Sequence, residues 1–279
     1  MRIHALQTGR VQVKQSQLVG RGHGLTRRLA PLFDPAWSDW LPTYAFAIVH
    51  RDGVVLVDTG ASAALKRLPR WHPYFRLAVR FDIEPEEEAG PQLRALGVGP
   101  RDVKLVALTH LHIDHDAGLA AFPHARTLVS PGEIRSASGF AGQIRGYLPQ
   151  RWPAGFDPEP LIFADEPYGP FARSRRLTTD GAVVALPTPG HTTDHVSIVV
   201  EDGDRAIVIA GDASYSETSL IEGRLDGVSP DEGAALATLS RLRELAASRP
   251  TVFLPTHDPQ SAERLARRQA VAFAAPTEA

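Results

Sequence analysis

The chain of 279 residues contains no cysteine. This absence excludes a disulfide framework and thiolate metal ligands, so any metal ion must be held by histidine and carboxylate side chains. No stretch approaches the roughly 20 apolar residues that a membrane-spanning helix needs. The first residues also lack the basic and then apolar layout of a secretory signal. We therefore expect a cytoplasmic protein without a membrane partner.

The sequence also lacks an excess of either charge. Its 30 lysine and arginine residues face 32 aspartate and glutamate residues, for a net charge of -2 at pH 7. The basic residues are scattered rather than gathered in a stripe, which argues against a nucleic-acid partner. The apolar and charged fractions are those of an ordinary globular protein, and the length is sufficient for a substantial core.

We predict one domain over residues 1–279, with two elaborations of the core near 61–91 and 131–176. The first contains an aromatic cluster around Trp71 and Tyr74, and the second is rich in glycine, proline and arginine. Loops of this length in a compact domain are usually functional lids or interface segments. We call them the first and second lid segments, and their apolar side chains are compatible with a homodimer.

Short runs rich in β-branched residues predict strands throughout the chain. Two pairs of runs flank tight turns and predict hairpins, namely Tyr44–Val49 with Val54–Val57, and Val196–Val200 with Arg205–Ile209. The other predicted strands are Lys104–Leu108, Arg126–Val129, Val183–Leu186 and Thr251–Leu254.

Helical signals lie between these strands. Ser229-Pro230-Asp231-Glu232 predicts a capping box with proline at the first helical position, followed by leucines and alanines at helical spacing as far as Pro250. A shorter helix is predicted at Gln92–Leu96, and another from about Pro259 to about Phe273, with Leu265 and Val271 facing inward.

The strongest functional signal is the segment Thr109–Gly118, which holds His110, His112, Asp114 and His115. In an extended segment the side chains at i and i+2 point the same way, so His110 and His112 can bind one ion. If the chain then turns, Asp114 and His115 can face a neighbouring ion. The alternative is a histidine-rich polar loop, but burial of histidines without partners is costly.

Other metal-competent side chains follow predicted strands. They are Asp58, His191, Asp212 and His257. In layered α/β proteins, sites gather where strand ends meet loops. One such residue alone is weak evidence, but together they supply the missing ligands of a two-metal site. For Asp58, two interpretations stay open: a hydrogen-bonding support for a ligand, or a turn residue before Gly60.

The motifs His-x-His-x-Asp-His, Pro-Gly-His, Gly-Asp, a late histidine and an early Asp-Thr-Gly cover about residues 40–260. This ordered set resembles the metallo-β-lactamase superfamily. The resemblance implies an α/β fold of four layers, an αβ/βα sandwich with the metals at one edge. It assigns to the first ion His110, His112 and His191. It assigns to the second ion Asp114, His115 and His257, with Asp212 as the bridge.

This ligand set implies two divalent cations, with zinc expected and iron, manganese or cobalt as alternatives. Two adjacent ions share a bridging hydroxide whose pKa they depress, and that hydroxide attacks an electrophilic carbonyl or phosphoryl centre. A carboxylate beside it, here Asp114, can accept its proton and deliver it to the leaving group.

The substrate prediction depends on Gly211-Asp212-Ala213-Ser214-Tyr215. This arrangement is similar to that of the N-acyl-homoserine lactone lactonases, the quorum-quenching branch of the superfamily. The resemblance implies that Tyr215 contacts the lactone carbonyl and that Asp114 protonates the leaving alkoxide. The alternative for Tyr215 is a packing role. Six apolar residues could form a wall for the acyl chain or fill a core or dimer interface: Trp37, Trp40, Leu41, Trp71, Tyr74 and Phe75.

Other functions remain open at this stage. An arylesterase, an organophosphate hydrolase or a thioesterase would use the same metal pair. A di-iron redox protein of this fold usually carries glutamate in place of His112 and a flavin domain, so this alternative is weaker. A metal-free scaffold conflicts with the complete ligand set. The prediction is therefore a metal-dependent hydrolase of small esters, with lactones as the expected substrates.

Overall fold

Two β-sheets form the frame of the protein, whose computed structural model describes residues 1–69 and 71–273. The first sheet has the strand order β4-β1-β2-β3-β5-β6-β7, and the second has the order β12-β11-β10-β9-β8. The strands are β1 Arg2–Val13, β2 Leu41–His50, β3 Gly53–Val57, β4 Val79–Asp82, β5 Val103–Ala107, β6 Arg126–Val129, β7 Glu159–Pro160, β8 Arg175–Arg176, β9 Val183–Pro187, β10 Val196–Asp202, β11 Arg205–Gly211 and β12 Thr251–Pro255.

Ten α-helices accompany these strands in the described part of the chain. They are α1 Gln15–Leu18, α2 Gly24–Phe33, α3 Pro73–Leu77, α4 Ala89–Ala95, α5 Ile113–Asp116, α6 Pro131–Ala137, α7 Gly139–Ile144, α8 Glu217–Glu222, α9 Glu232–Ser248 and α10 Ser261–Arg267. Short 3-10 turns lie at Ala63–Arg67, Pro85–Glu87, Leu119–Ala121 and Pro149–Arg151. Among the helices that the structure describes, none combines the length and apolarity required to span a bilayer.

Both predicted hairpins are confirmed: β2 pairs antiparallel with β3, and β10 pairs antiparallel with β11. The other four predicted strands also form, as β5, β6, β9 and β12. The sequence interpretation missed β1, which is 12 residues long and pairs with both β2 and β4. Its polar and apolar residues do not alternate strictly, because the pairing register shifts between Gln7 and Arg10.

Four layers follow from the way side chains divide between the faces of the sheets. On β3, Val55 and Val57 pack into a core between the two sheets, together with Ile198 of the second sheet. Their neighbours Val54 and Leu56 point the opposite way, into a core shared with helix α4. The outer face of the second sheet is covered by α8 and α9. The predicted αβ/βα sandwich is therefore confirmed.

The predicted capping box at Ser229–Glu232 is wrong. Helix α9 begins at Glu232, and the carboxylate of Asp231 caps it by accepting from the N–H of Ala234 at 2.9 Å. Ser229 is engaged elsewhere, since its hydroxyl donates to Asp226 at 2.6 Å. A serine whose hydroxyl is taken by a nearby carboxylate is not available to a helix end.

The last predicted helix is too long at both ends. Helix α10 covers only Ser261–Arg267, and Arg268 then adopts a left-handed conformation with φ of 52°. This conformation ends the helix. The chain beyond it turns back to the second sheet, where the N–H of Val271 donates to the carbonyl of Thr251 at 2.8 Å.

The two lid segments contribute to both sheets and to the space above them. The first supplies edge strand β4, which pairs with β1, and the second supplies the two-residue edge strands β7 and β8. Phe75 and Val79 of the first lid segment lie in a buried cluster with Val11 and Val13 of β1.

Candidate metal centre

One edge of the two sheets collects the ends of five strands. Beyond β3 lies Asp58, beyond β5 lie His110 and His112, and beyond β9, β11 and β12 lie His191, Asp212 and His257. The N–H of Val196 donates to the carbonyl of Thr109 at 2.9 Å, which ties the second sheet to the first beside these strand ends. The edge predicted from the sequence is therefore the edge at which the structure brings these residues together.

Seven side chains converge there into three overlapping groups. In each group the potential ligand atoms all lie within 4.8 Å of one another. The groups are His110 with His112 and His191; His110 with His115 and Asp212; and Asp114 with His115 and His257. The first and third groups match the two ligand sets that the resemblance assigned.

Three imidazoles form the first group. Nδ1 of His112 lies 3.0 Å from Nε2 of His110 and 3.0 Å from Nε2 of His191. Burial, together with the neighbouring imidazoles, lowers the pKa of His110 and of His112 well below the usual value. Both rings are therefore neutral, which is the form of histidine that binds a metal ion.

Asp212 lies between the first and third groups. Its Oδ1 is 3.5 Å from Nε2 of His115, and its Oδ2 is 3.5 Å from Nε2 of His191 and 3.4 Å from Nε2 of His257. Burial opposes the ionisation of Asp212, but the imidazoles of His257 and His115 outweigh it and hold the pKa of Asp212 well below its usual range. An ionised carboxylate between two sets of imidazoles is suited to bridge two cations.

The outer nitrogens of the histidines fix which nitrogen faces the centre. Nδ1 of His257 donates to the carbonyl of Pro42 at 3.0 Å, and Nδ1 of His115 lies 2.8 Å from Oδ2 of Asp58. Nδ1 of His110 lies 3.0 Å from the hydroxyl of Thr109. In each case Nε2 is left to point inward, as metal-binding histidines usually do when their other nitrogen is hydrogen-bonded.

Two buried polar atoms that face this centre have no hydrogen-bond partner: Nε2 of His115 and Oδ1 of Asp212. Nδ1 of His191, on the outer side of its ring and 3.7 Å from Oδ2 of Asp226, is also unpaired. Buried polar atoms are almost always paired, so unpaired ones need an explanation. A divalent cation would bind the two atoms that face the centre, and nitrogen and carboxylate oxygen are the donors that zinc and related metals accept. The residues present therefore fit a metal centre.

Asp58 is hydrogen-bonded to residues of this centre. Its carboxylate accepts from the N–H of Thr109 at 2.7 Å and from its hydroxyl at 2.9 Å, in addition to the contact with His115. Its own backbone is left-handed, with φ of 58°, a conformation that costs free energy for a residue other than glycine. These hydrogen bonds stabilise the strained conformation and orient His115. Of the two interpretations left open for Asp58, the contacts favour the support of a ligand.

The turn into Asp212 depends on Gly211 and His195. Gly211 has φ of 57°, and a Cβ there would lie 2.7 Å from Nε2 of His195. Nε2 of His195 accepts from the N–H of Asp212 at 3.1 Å, and its Nδ1 donates to the hydroxyl of Thr188 at 2.9 Å. His195 is buried, and its imidazole holds the backbone that presents Asp212.

Tyr215 lies against both histidine groups. Its ring stacks on His257 with centroids 5.5 Å apart, and it meets His191 edge-on at 5.9 Å. Burial, together with the charge of Asp212, raises the pKa of Tyr215 well above its usual value, so the phenol is protonated at neutral pH. The hydroxyl accepts a hydrogen bond from the side chain of Gln17 at 3.1 Å.

A cavity of about 560 Å³ opens above these residues. Its base includes His112, Asp114, His191, Asp212, Tyr215 and His257. Its wall is mainly apolar and includes Val11, Val13, Leu41, Trp71, Phe75 and Ile144. Of the six residues considered for this wall, Leu41, Trp71, Tyr74 and Phe75 line the cavity. Trp37 and Trp40 do not line it. The ring of Trp37 lies under Lys14 and Arg80, each 3.9 Å from its centroid, and the ring of Trp40 is 5.8 Å from the guanidinium of Arg10.

The sequence interpretation missed several residues at this site. Asp226 places Oδ2 3.7 Å from Nδ1 of His191, Tyr147 packs its ring 5.1 Å from that of His112, and Gln17 contacts Tyr215. None of these residues stands in a motif. Asp226 precedes a short Gly-Val-Ser turn, and the local sequence there indicates only that turn.

Comparisons with known proteins agree with this geometry. A family model described as the metallo-beta-lactamase superfamily matches residues 38–257. A Mycobacterium tuberculosis protein named "Probable metallo-hydrolase Rv2300c" is 36% identical over 182 residues, which are 63% of this chain and 56% of that protein. The match thus spans little more than half the length of that relative. The N-acyl homoserine lactonase AttM of Rhizobium radiobacter is 26% identical over 274 residues, covering 94% of each chain.

Among solved structures, an N-acyl homoserine lactone hydrolase with the product N-hexanoyl-L-homoserine at its catalytic metal centre has a TM-score of 0.74. It is 18% identical and covers 94% of both chains, so it supports the fold. Fold, site and family model define a metallo-hydrolase. The chain belongs to the metallo-beta-lactamase superfamily, and within it the chain resembles the lactonase branch.

Proposed function

We propose that the protein is a lactonase that opens the ring of N-acyl-homoserine lactones with the help of two divalent metal ions. The observation that carries the proposal is the position of Tyr215, whose protonated phenol lies beside both histidine groups at the base of an apolar cavity. A hydrogen-bond donor at this place is positioned for the oxygen that gains charge when a carbonyl is attacked.

The proposed ligands of one ion are His110, His112 and His191. The proposed ligands of the other are Asp114, His115 and His257, with Asp212 shared. When bound, two such ions polarise a carbonyl oxygen and lower the pKa of a water molecule toward neutrality. The ligand set does not select one metal, and zinc, iron, manganese and cobalt all accept these donors.

Two side chains act directly on the substrate in this proposal. Asp114 lines the cavity with a side chain that is 13% exposed, and its Oδ2 lies 3.4 Å from Nε2 of His257, so it can carry a proton to the leaving alkoxide of the lactone. The phenolic hydroxyl of Tyr215 donates a hydrogen bond to the carbonyl oxygen. Nothing in this scheme requires a covalent intermediate on the protein.

The shape of the cavity favours a small polar head attached to an apolar tail. The metal-competent side chains lie at the base, and most of the remaining lining consists of leucine, valine and aromatic side chains. At the mouth, exposed Trp71 and Ile144 are accompanied by exposed Arg28, Arg145 and Thr193. An acyl-homoserine lactone has this distribution of polarity. The similarity to AttM over almost the whole chain supports the same substrate class.

A panel of substrates together with metal analysis tests the proposal. The purified protein is assayed for ring opening of several acyl-homoserine lactones, and in parallel for hydrolysis of an aryl ester, a thioester and a phosphotriester. We expect two ions per chain and the highest kcat/KM on a lactone. Lactone turnover far below that of another substrate would assign the site to that other reaction instead.

Replacing Tyr215 with phenylalanine is expected to lower kcat for the lactone by on the order of 10²-fold, as the loss of an oxyanion donor does in other enzymes. Metal content is expected to stay the same, because the phenol is not a proposed ligand. Steady-state kinetics and metal analysis of the variant check both statements. Unchanged kinetics would remove Tyr215 from the mechanism.

Replacing Asp58 with asparagine is expected to weaken binding of the ion held by His115. Asparagine tolerates the left-handed backbone but lacks the charge that orients the imidazole. Loss of such a support typically costs 10- to 100-fold in metal affinity, so about that loss is expected for one of the two ions. Competition with a chromophoric chelator measures it. Asp52→Asn is the matched control, because its carboxylate also accepts two hydrogen bonds, from Thr179, away from the site.

A further inference from the structure

The side chain of Gln17 joins two tyrosines across the cavity. Its Nε2 donates to the hydroxyl oxygen of Tyr215 at 3.1 Å, and its Oε1 accepts from the hydroxyl of Tyr74 at 2.9 Å. Gln17 is only 4% exposed. The three residues come from α1, the first lid segment and the loop after β11, so tertiary structure alone brings them together.

The chemistry of an amide decides where the Tyr215 proton points. A carbonyl oxygen can only accept, so the Tyr74 hydroxyl donates to Oε1 and thereby fixes which end of the amide faces Tyr215. The amide nitrogen can only donate, so the Tyr215 oxygen accepts from it. The hydroxyl hydrogen of Tyr215 is then not used in this contact and remains available to an acceptor in the cavity.

The backbone around Gln17 is held as firmly as its side chain. The carbonyl of Gln17 accepts from the N–H of Gly227 at 2.7 Å, and the N–H of Ser16 donates to Asp34 at 2.8 Å. Gly227 packs so closely on this helix that a Cβ there would collide with the carbonyl oxygen of Ser16. An amide fixed at both its backbone and its side chain imposes a direction on its partner rather than adapting to it.

We infer that Gln17 is a positioning residue for the reaction: it directs the hydroxyl hydrogen of Tyr215 into the cavity, and Tyr74 sets the orientation of Gln17. The inference rests on the proposed role of Tyr215 as a donor to the substrate oxygen. It assigns a function to α1, a helix that contains none of the sequence motifs of the metal centre. It also ties the first lid segment to the reacting groups through the hydroxyl of Tyr74.

Gln17→Glu at about pH 8 is the sharpest variant, because an ionised carboxylate has the shape of the amide but only accepts. It draws the Tyr215 hydrogen toward itself and away from the cavity. We expect kcat to fall on the order of 10²-fold, as for Tyr215→Phe. Gln17→Leu, which leaves the hydroxyl free to rotate, is expected to lower kcat by about fivefold, the worth of one ordinary hydrogen bond. Tyr74→Phe is expected to have a similar or smaller effect.

A double-mutant cycle separates positioning from a general structural role. In the Tyr215→Phe background, Gln17→Glu is expected to change kcat by less than about twofold, because residues that act through one another are not additive. The Kd of a lactam analogue, whose amide resists hydrolysis, is expected to change by less than about threefold in Gln17→Leu. Metal content and melting temperature of each variant identify any that fail to fold.

Gln12→Leu is the matched control. Gln12 lies five positions earlier in the chain and its amide is also hydrogen-bonded at both ends, to Ser38 and Arg80, but it does not line the cavity. Its kcat is expected to equal that of the wild type. All variants are measured on the substrate that the wild type hydrolyses best, so a failure of the lactone assignment is seen separately in the wild type.

Two results would overturn the inference. One is a Gln17→Glu variant with near wild-type kcat, which would mean that the amide faces Tyr215 with its oxygen. The other is an equal loss from Gln17→Glu in the presence and absence of the Tyr215 hydroxyl, which would mean that Gln17 acts on the fold alone.

Discussion

Replacing Asp212 with alanine is expected to release at least one of the two proposed metal ions and to lower turnover by about 10³-fold or more. Metal ions contribute several kcal/mol to the stabilisation of charge in a transition state, and each 1.4 kcal/mol corresponds to a factor of ten in rate. No other carboxylate among the described residues contacts His115, His191 and His257 together. Asp212 is thus the side chain whose loss affects both halves of the site.

The direction of the effect follows from the electrostatics of the centre. Burial lowers the pKa of His257 and His115, but Asp212 is the leading charge that outweighs burial and raises the pKa of both. The same negative charge that retains protons on these imidazoles attracts divalent cations. Without it, Asp114 would be the only carboxylate left among the proposed ligands of two cations, and one of the cations is expected to leave.

Metal analysis after gel filtration and steady-state kinetics measure the two parts of this prediction. Asp204→Ala is the matched control, because Asp204 precedes β11 as Asp212 follows it, and its side chain is 79% exposed. The control is expected to retain both ions and full turnover. An Asp212→Ala variant that kept two ions would show that this carboxylate does not bridge them.

Most of the metal centre could be predicted from the sequence because its ligands follow strands. A buried strand is recognised by its β-branched residues, and the polar residue after it must lie at the edge of a sheet. His191, Asp212 and His257 each follow such a strand. Gln17 and Asp226 could not be predicted in this way, because they lie outside strand ends and are brought to the site by the packing of α1 and of the loop before α9.

The errors in the fold have local causes of the same kind. The prediction of a capping box at Ser229 was wrong because the carboxylate of Asp226, three residues earlier, accepts from the serine hydroxyl. The sequence around Ser229 does not indicate this hydrogen bond. Strand β1 was missed because its pairing register shifts near Arg10 and breaks the alternation of polar and apolar residues. A local side-chain contact overrides the pattern in the first case, and the pairing of two strands overrides it in the second. The wall of the cavity shows the same limit, since Trp71 lines it while Trp37 packs against cations elsewhere.

Complete removal of metal is expected to abolish lactone turnover and to lower the melting temperature by roughly 5 to 10 °C. A ligand present at about 100 times its Kd stabilises the folded state by about 2.7 kcal/mol, and 1 kcal/mol shifts the melting temperature of a domain of this size by about 2 to 4 °C. Loss of the ions also leaves Nε2 of His115 and Oδ1 of Asp212 buried without a partner. The loss of binding free energy and the unpaired buried atoms both lower the melting temperature.

Dialysis against a chelator, followed by separate addition of zinc, iron, manganese and cobalt, identifies the metal as well as the requirement for it. Turnover and melting temperature are expected to return together, because the same seven side chains provide both the stability and the chemistry. In Asp212→Ala, chelation is expected to lower the melting temperature less than in the wild type, since fewer ions are there to be removed. A chelated wild type that keeps its turnover would contradict the metal centre itself, because the inward-facing nitrogens of the five proposed histidine ligands would then have no role in catalysis.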